Sequence, residues 1–229
     1  MMPKPLWNFQ RDVHSCAQLI ELVNEIGFLP LLDSGITGFS AEAIVAPDCR
    51  YVTFPDGGWD WPLWKWKGPA ISDGQCVYGK FFNGKAGFVS LEWWPLLCQH
   101  KRSKHPAPAV ESIEGAILDT LRLQGSLITR ELRTACGFGG TKMRSRFDAY
   151  VTRLQMAGRI VVEDFIYPRD RHGNDYGWGW ALLTTPEQLY GIDKCRSPLS
   201  DEEARQRIFS HLGKLLPQAN ARQIEKLVG

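Results

Sequence analysis

The chain has 229 residues, 44% hydrophobic and 23% charged, which suits one large or two small soluble domains with a real core. A net charge of +2 is too small to argue for nucleic acid by itself, so any basic patch must be local. No apolar run is long enough to span a bilayer and the N-terminus lacks the apolar stretch of a signal peptide, so no membrane association and a cytoplasmic location are expected.

The six cysteines (Cys16, Cys49, Cys76, Cys98, Cys136 and Cys195) are scattered, with no Cys-x-x-Cys pair. That pattern argues for reduced thiols over a disulfide framework. His100 and His105 lie near Cys98 without a second ligand group at zinc spacing, so neither a metal nor a cofactor is expected.

In chain order, Leu19, Ile20, Val23 and Ile26 recur at helical spacing and predict a helix over Val13 to Ile26, capped by Asp12 and stopped by Gly27. A turn at Asp33-Ser34-Gly35 and a short capped helix over Ser40 to Ile44 follow. Tyr51 to Phe54 reads as a strand, ended by Pro55-Asp56-Gly57-Gly58. Four tryptophans then fall within eight residues (Trp59, Trp61, Trp64, Trp66), interleaved with Lys65 and Lys67, and Trp93-Trp94 come soon after. Two readings are open: the core and lid of a compact domain, or a stacking surface for nucleobases with Trp64 and Trp66 as the stacking rings. On the first, most of the six are substantially buried.

Val77 to Phe82 and Lys85 to Ser90 flank Asn83-Gly84, the two positive-φ residues of a type I′ hairpin turn. Gln99 to Ala109, with Lys101-Arg102-Ser103-Lys104, reads as a basic linker, either a solvated loop or a phosphate-contacting arm.

Beyond Val110 the order is helix (Ile113, Ile117, Leu118, Leu121), short strand (Ser126 to Ile128), helix (Arg130 to Ala135), glycine-rich turn, and a third helix over Thr141 to Ala157. Met143, Phe147, Tyr150, Val151 and Leu154 give that helix its apolar stripe. A hairpin of Arg159 to Ile166 with Gly177 to Thr184, around a polar loop, completes a winged helix. Ser200 and Glu203 form a capping box opening a helix to about Leu216, and Ala221 to Val228 is a last short helix. No internal repeat is evident.

The fold class is therefore α+β: a Trp-rich N-terminal domain of helices plus a β-hairpin, itself winged-helix-like (1–105), a winged-helix domain (106–195) and C-terminal docking helices (196–229). Between Arg130 and Arg171 nine Lys/Arg face five Asp/Glu, an excess larger than that of the whole chain. Candidate DNA-contacting residues are Lys142, Arg144, Arg146 and Arg153 on the third helix and Arg169, Arg171 and His172 on the wing. Ser145, Ala149 and Thr152 are small or polar, as a groove-facing surface requires. The alternative is a solvated charged helix in a protein-binding winged helix.

Trp64-Lys65-Trp66-Lys67-Gly68, the run from Cys76 to Ser90, and Tyr176-Gly177-Trp178-Gly179 resemble the AlkZ-related proteins, a bacterial group distantly similar to the AlkZ/YcaQ DNA glycosylases. The resemblance extends from about Arg11 to Leu216. It implies winged-helix-like units with a concave surface for DNA; in the glycosylases such units excise alkylated or cross-linked bases.

The glycosylases' Gln-apolar-Gln or Gln-apolar-Asp motif does not carry over. Asp33 matches its last position, but Leu31 stands where the glutamine belongs, and Gln10-Arg11-Asp12 has Arg in the middle. Three readings follow: a DNA-binding protein lacking the catalytic motif, a glycosylase in which Asp33 activates water, and a winged-helix protein-interaction module.

Overall fold

The computed structural model describes residues 12–72, 75–140, 144–173, 175 and 177–229. The first helix, α1 (Cys16–Ile26), starts later than its periodicity suggests, because Ser15 and not Asp12 is the cap, its hydroxyl accepting from the Gln18 amide. Val13 instead makes a parallel bridge with Val45. Gly27 ends the helix at φ 82°, a left-handed conformation open to glycine. The apolar run that follows is a strand, β1 (Phe28–Pro30), and Ser40 caps the short α2 (Ala41–Ile44) as expected.

The expected strand after Tyr51 is only two residues, β2 (Val52–Thr53), and it pairs with β3 (Trp59–Asp60) into a small aromatic ribbon. The chain then enters α3 (Pro62–Ser72), a helix the sequence reading did not anticipate. Pro62 is tolerated in the first turn, whereas Pro69 sits inside the helix and removes one backbone donor. Packing overrides that loss: α3 lies against α1 and buries Leu63, Ala70 and Ile71.

The hairpin β4 (Cys76–Phe82) and β5 (Lys85–Ser90) turns through Asn83 at φ 51° and Gly84 at φ 77°, as a type I′ turn requires. The expected basic linker is corrected. Its first part belongs to α4 (Trp94–Lys104), in which Lys101 is wholly buried and donates from Nζ to the Gly229 carbonyl at 3.0 Å. Arg102 holds the Gly158 carbonyl and Glu187, and Lys104 pairs with Glu225. These cations brace α4 against later parts of the chain, leaving only residues 105–111 as connector.

The second half follows the expected order: α5 (Ile113–Gln124), β6 (Leu127–Ile128), α6 (Thr129–Ala135), α7 (Arg144–Met156), β7 (Val161–Ile166) and β8 (Trp180–Thr184). Phe147, Val151 and Leu154 are buried along α7, while Met143 lies outside the described residues. A short α8 (Pro186–Tyr190) leads to α9 (Asp201–Leu215), opened by the Ser200–Glu203 capping box, and to α10 (Ala221–Val228). Helix α9 packs on α4, and α10 on α9 and β4.

Strands from both halves join one six-stranded sheet in the order β1-β5-β4-β7-β8-β6. The order is palindromic: in each half a short first strand flanks the second strand of a hairpin, and the first hairpin strands meet where Tyr78 faces Val162. Helices cross that seam, α3 packing on β7 and α7 on β4. Nearly all the buried apolar residues among those described form one cluster running from Val13 to Val228. The sheet seam at β4 and β7 sits within it.

Candidate nucleic-acid interface

The tryptophans divide between core and surface. Trp94 is fully buried and Trp93 nearly so; Trp61, Trp64 and Trp66 are half-buried, and Trp59 is 42% exposed. Tertiary folding adds a ring the sequence reading left aside. Trp178, from the loop between β7 and β8, stacks on Trp59 at 4.8 Å and 20°, and meets Trp61 and Trp64 edge-on. The Trp64 indole donates to the Trp178 carbonyl at 3.0 Å, so the loop is held both by ring contact and by a hydrogen bond.

Trp64 has no face left for a ligand. Trp61 stacks on one side at 4.9 Å, and the Lys67 ammonium lies 3.0 Å from the ring centroid, too close to share that side. The same ammonium is 3.9 Å from the Phe165 ring. Burial pushes the Lys67 amine down to about 7. Trp66, the other proposed stacking ring, packs on the core.

Beside this cluster is a cleft of about 620 Å³. Trp59, Trp61 and Trp64 contribute one side of its lining, and Tyr167, Asp175 and Gly177 the other. Asp60 and Lys65 also border it and form an ion pair at 2.6 Å; that lysine holds the Asp60 carboxyl below its ordinary value. Asp175 is paired with Arg169 at 3.3 Å. Glu42 accepts from the Trp61 indole at 3.1 Å and fixes that ring. The Tyr167 hydroxyl is buried with no hydrogen-bond partner among the described residues, and burial followed by the Asp164 and Asp175 charges raises its pKa.

The sequence-derived DNA candidates fall into three groups. Arg144 and Arg146 are exposed on the first turns of α7, and no ion pair engages either among the described residues. Arg153, a turn and more further on, is committed: it bonds Glu114 at 3.1 Å and 2.5 Å and stacks on Tyr150 at 4.6 Å. Arg169, Arg171 and His172 are exposed on the β7–β8 loop, where Arg171 donates to His172 at 3.0 Å. Lys142 lies outside the described residues. The outer face of α7 is open only in part, since Lys80 donates to Thr152 and the Gly84 turn abuts Thr152 and Met156. Ser145 and Ala149 stay exposed.

Asp33 is exposed in the turn after β1, its carboxylate accepting from the Gly35 amide at 3.0 Å and its carbonyl from Lys85. That is turn chemistry: the carboxylate replaces a backbone acceptor. No group of three or more His, Cys, Asp or Glu placed to hold a metal ion occurs among the described residues, and none of their helices is long and apolar enough to cross a membrane.

Fold and cleft together define a mixed helix-and-sheet protein with an aromatic cleft formed between its two halves. The chain belongs to the AlkZ-related family, whose family model matches residues 13–229. Comparison with curated proteins and with solved structures finds no match.

Proposed function

We propose that this protein binds DNA through the first turns of α7 and the β7–β8 loop, without the glutamine-based motif of the AlkZ/YcaQ glycosylases. In this reading residues 106–195 are a winged helix, with α7 as the helix presented to the groove and the β7–β8 loop as the wing. Supporting it are the element order and the pairing of β6 with β8. Residues 1–105 form a second winged-helix-like unit, supported by the matching pairing of β1 with β5, and residues 196–229 dock on it, α9 against α4 and α10 against β4. A DNA partner carries with it a cytoplasmic location.

One observation carries the reading: Arg144 and Arg146 are exposed on α7 with no ion pair among the described residues, in the unit whose loop exposes Arg169, Arg171 and His172. Guanidinium groups left without carboxylates are free to replace counterions at phosphates. The positive end of the α7 dipole adds to them. Arg153 is a lesser contributor while Glu114 holds it. Glycosylase activity through Asp33 gains no support, because that carboxylate is exposed and caps a turn.

The test is duplex binding at several salt concentrations by wild type and Arg144→Glu/Arg146→Glu. The double variant should bind more weakly, with a salt slope lower by about one unit for each lost phosphate contact. Unchanged affinity in a folded double variant refutes this surface. Incision of alkylated DNA would overturn the non-catalytic half of the reading.

A further inference from the structure

We propose that Cys195 and Cys98 form a dithiol that reacts with small hydroperoxides, Cys195 reacting first at the wall of a surface cavity and Cys98 then closing a disulfide with it. The site is independent of DNA binding.

The two thiols come from distant parts of the chain. Cys98 is on α4, and Cys195 ends the short 3-10 helix Asp193–Cys195, which packs on α4. Their side chains are in hydrogen-bond contact. The Cys98 sulfur also lies 3.7 Å from the Gly158 carbonyl, but Arg102 already donates to that oxygen at 2.9 Å and 3.2 Å. The Cys98 hydrogen is thus free to point at the Cys195 sulfur.

Three features mark Cys195 as the attacking sulfur. It lines a cavity of about 400 Å³ together with Gln99, Arg102, Arg196 and Ser197, whereas Cys98 is wholly buried. The Trp94 indole N–H, in a side chain that is also wholly buried, has no nitrogen or oxygen partner among the described residues and reaches the Cys195 sulfur. A buried donor in that state is costly, and a thiolate is an acceptor that relieves it. The third feature is the positive charge of Arg102. Burial and the Glu187 carboxylate oppose these groups, yet the Cys195 thiol is held below its ordinary value, chiefly by the Cys98 hydrogen bond. Burial instead raises the Cys49, Cys76 and Cys136 thiols.

Cys195 is 4% exposed, so its reactant has to be small. Hydrogen peroxide is little larger than water, whereas a bulky disulfide cannot come into line with this sulfur. The Cys195 thiolate attacks one peroxide oxygen, the O–O bond breaks, and the departing hydroxide takes the thiol's proton and leaves as water. The product is a sulfenic acid. Cys98 then attacks that sulfur: the S–S bond forms, the S–O bond breaks, and the hydroxide leaves with the Cys98 proton as a second water. Two thiols lose two electrons and the peroxide gains them.

The test treats the reduced full chain with an equimolar amount of hydrogen peroxide and maps its non-reduced peptides by mass spectrometry. A Cys98–Cys195 disulfide should form about tenfold faster than oxygen is added to Cys16, Cys49, Cys76 or Cys136, the ratio expected from about one pKa unit of thiolate supply. Dithiothreitol should restore all six thiols. In Cys98→Ala the Cys195 sulfur has no partner, and its peptide should gain oxygen. In Cys195→Ala the Cys98 peptide should stay unoxidised. Circular dichroism checks both folds, and the wild-type map stands without either variant.

Oxidation of another thiol while Cys98 and Cys195 stay reduced overturns the proposal. So does oxidation of Cys98 at the wild-type rate in folded Cys195→Ala. Oxygen gained at Cys195 of the wild type with no disulfide overturns the dithiol as well.

Discussion

Lys67→Met should make the protein more stable at neutral pH and flatten its stability profile above neutrality. Lys67 is 1% exposed, faces Trp64 and Phe165, and has no carboxylate in ion-pair contact among the described residues. The Asp164 carboxylate lies near Gly68 on the same helix. Burial holds the folded amine at about 7, while an unfolded lysine keeps its proton to about 10.4. Between these values the unfolded chain binds more protons than the folded one, so stability rises with pH across the window. Desolvation alone makes that rise about 5 kcal/mol, at about 1.4 kcal/mol per pH unit. The two rings favour the charged form by about 2 kcal/mol, which leaves a rise of roughly 3 kcal/mol. Lys101 is also buried and held at about 7, so the quantity to read is the difference between wild type and variant. Urea unfolding at pH 7, 8, 9 and 10 measures it. Methionine keeps the volume and removes the amine. The variant should gain about 3 kcal/mol near pH 7 and nothing by pH 10. A variant less stable than wild type at every pH would refute the reasoning, since the ammonium would then be a net stabiliser.

Three further outcomes are expected. Gly87→Ala should cost about 3 kcal/mol in denaturant unfolding, because a Cβ there would lie 2.6 Å from the Leu29 carbonyl oxygen and the Pro30 Cα, both backbone; a cost under 1 kcal/mol would show that β1 yields easily. Glu114→Gln frees Arg153 from its only carboxylate among the described residues, and DNA affinity should rise a fewfold if that guanidinium can reach a phosphate. No change in affinity would confine Arg153 to a structural role. Trp178→Ala removes the stack on Trp59 and two edge contacts, for a loss of about 2 kcal/mol, and should open the β7–β8 loop to limited proteolysis. An equally protected loop would mean that its backbone bonds suffice.

What the sequence determined by itself is local. Gly27, Asn83-Gly84 and the Ser200–Glu203 box act on residues at most a few positions away, so their type fixes a helix end, a turn and a cap without reference to the rest of the chain. The stripe of α7 is legible for the same reason: Phe147, Val151 and Leu154 reveal one buried face whatever covers it. Tertiary structure decided the rest. Lys101 and Arg102 look like loop charges until Gly229, Gly158 and Glu187 supply their partners from 56 to 128 residues away. Helix α3 contains an internal proline that local preference counts against, and its contacts with α1 and β7 outweigh the lost bond. The palindromic sheet depends on β4 meeting β7, a pairing that no local pattern encodes because its two strands share no turn. The aromatic cleft is the clearest case. Its two sides are more than 100 residues apart in sequence, and the indole of Trp64 finds the carbonyl of Trp178 only once both halves are packed on one sheet. Stacking and burial act through space, so the sequence could supply the rings and the charges, while their arrangement around a cleft awaited the fold.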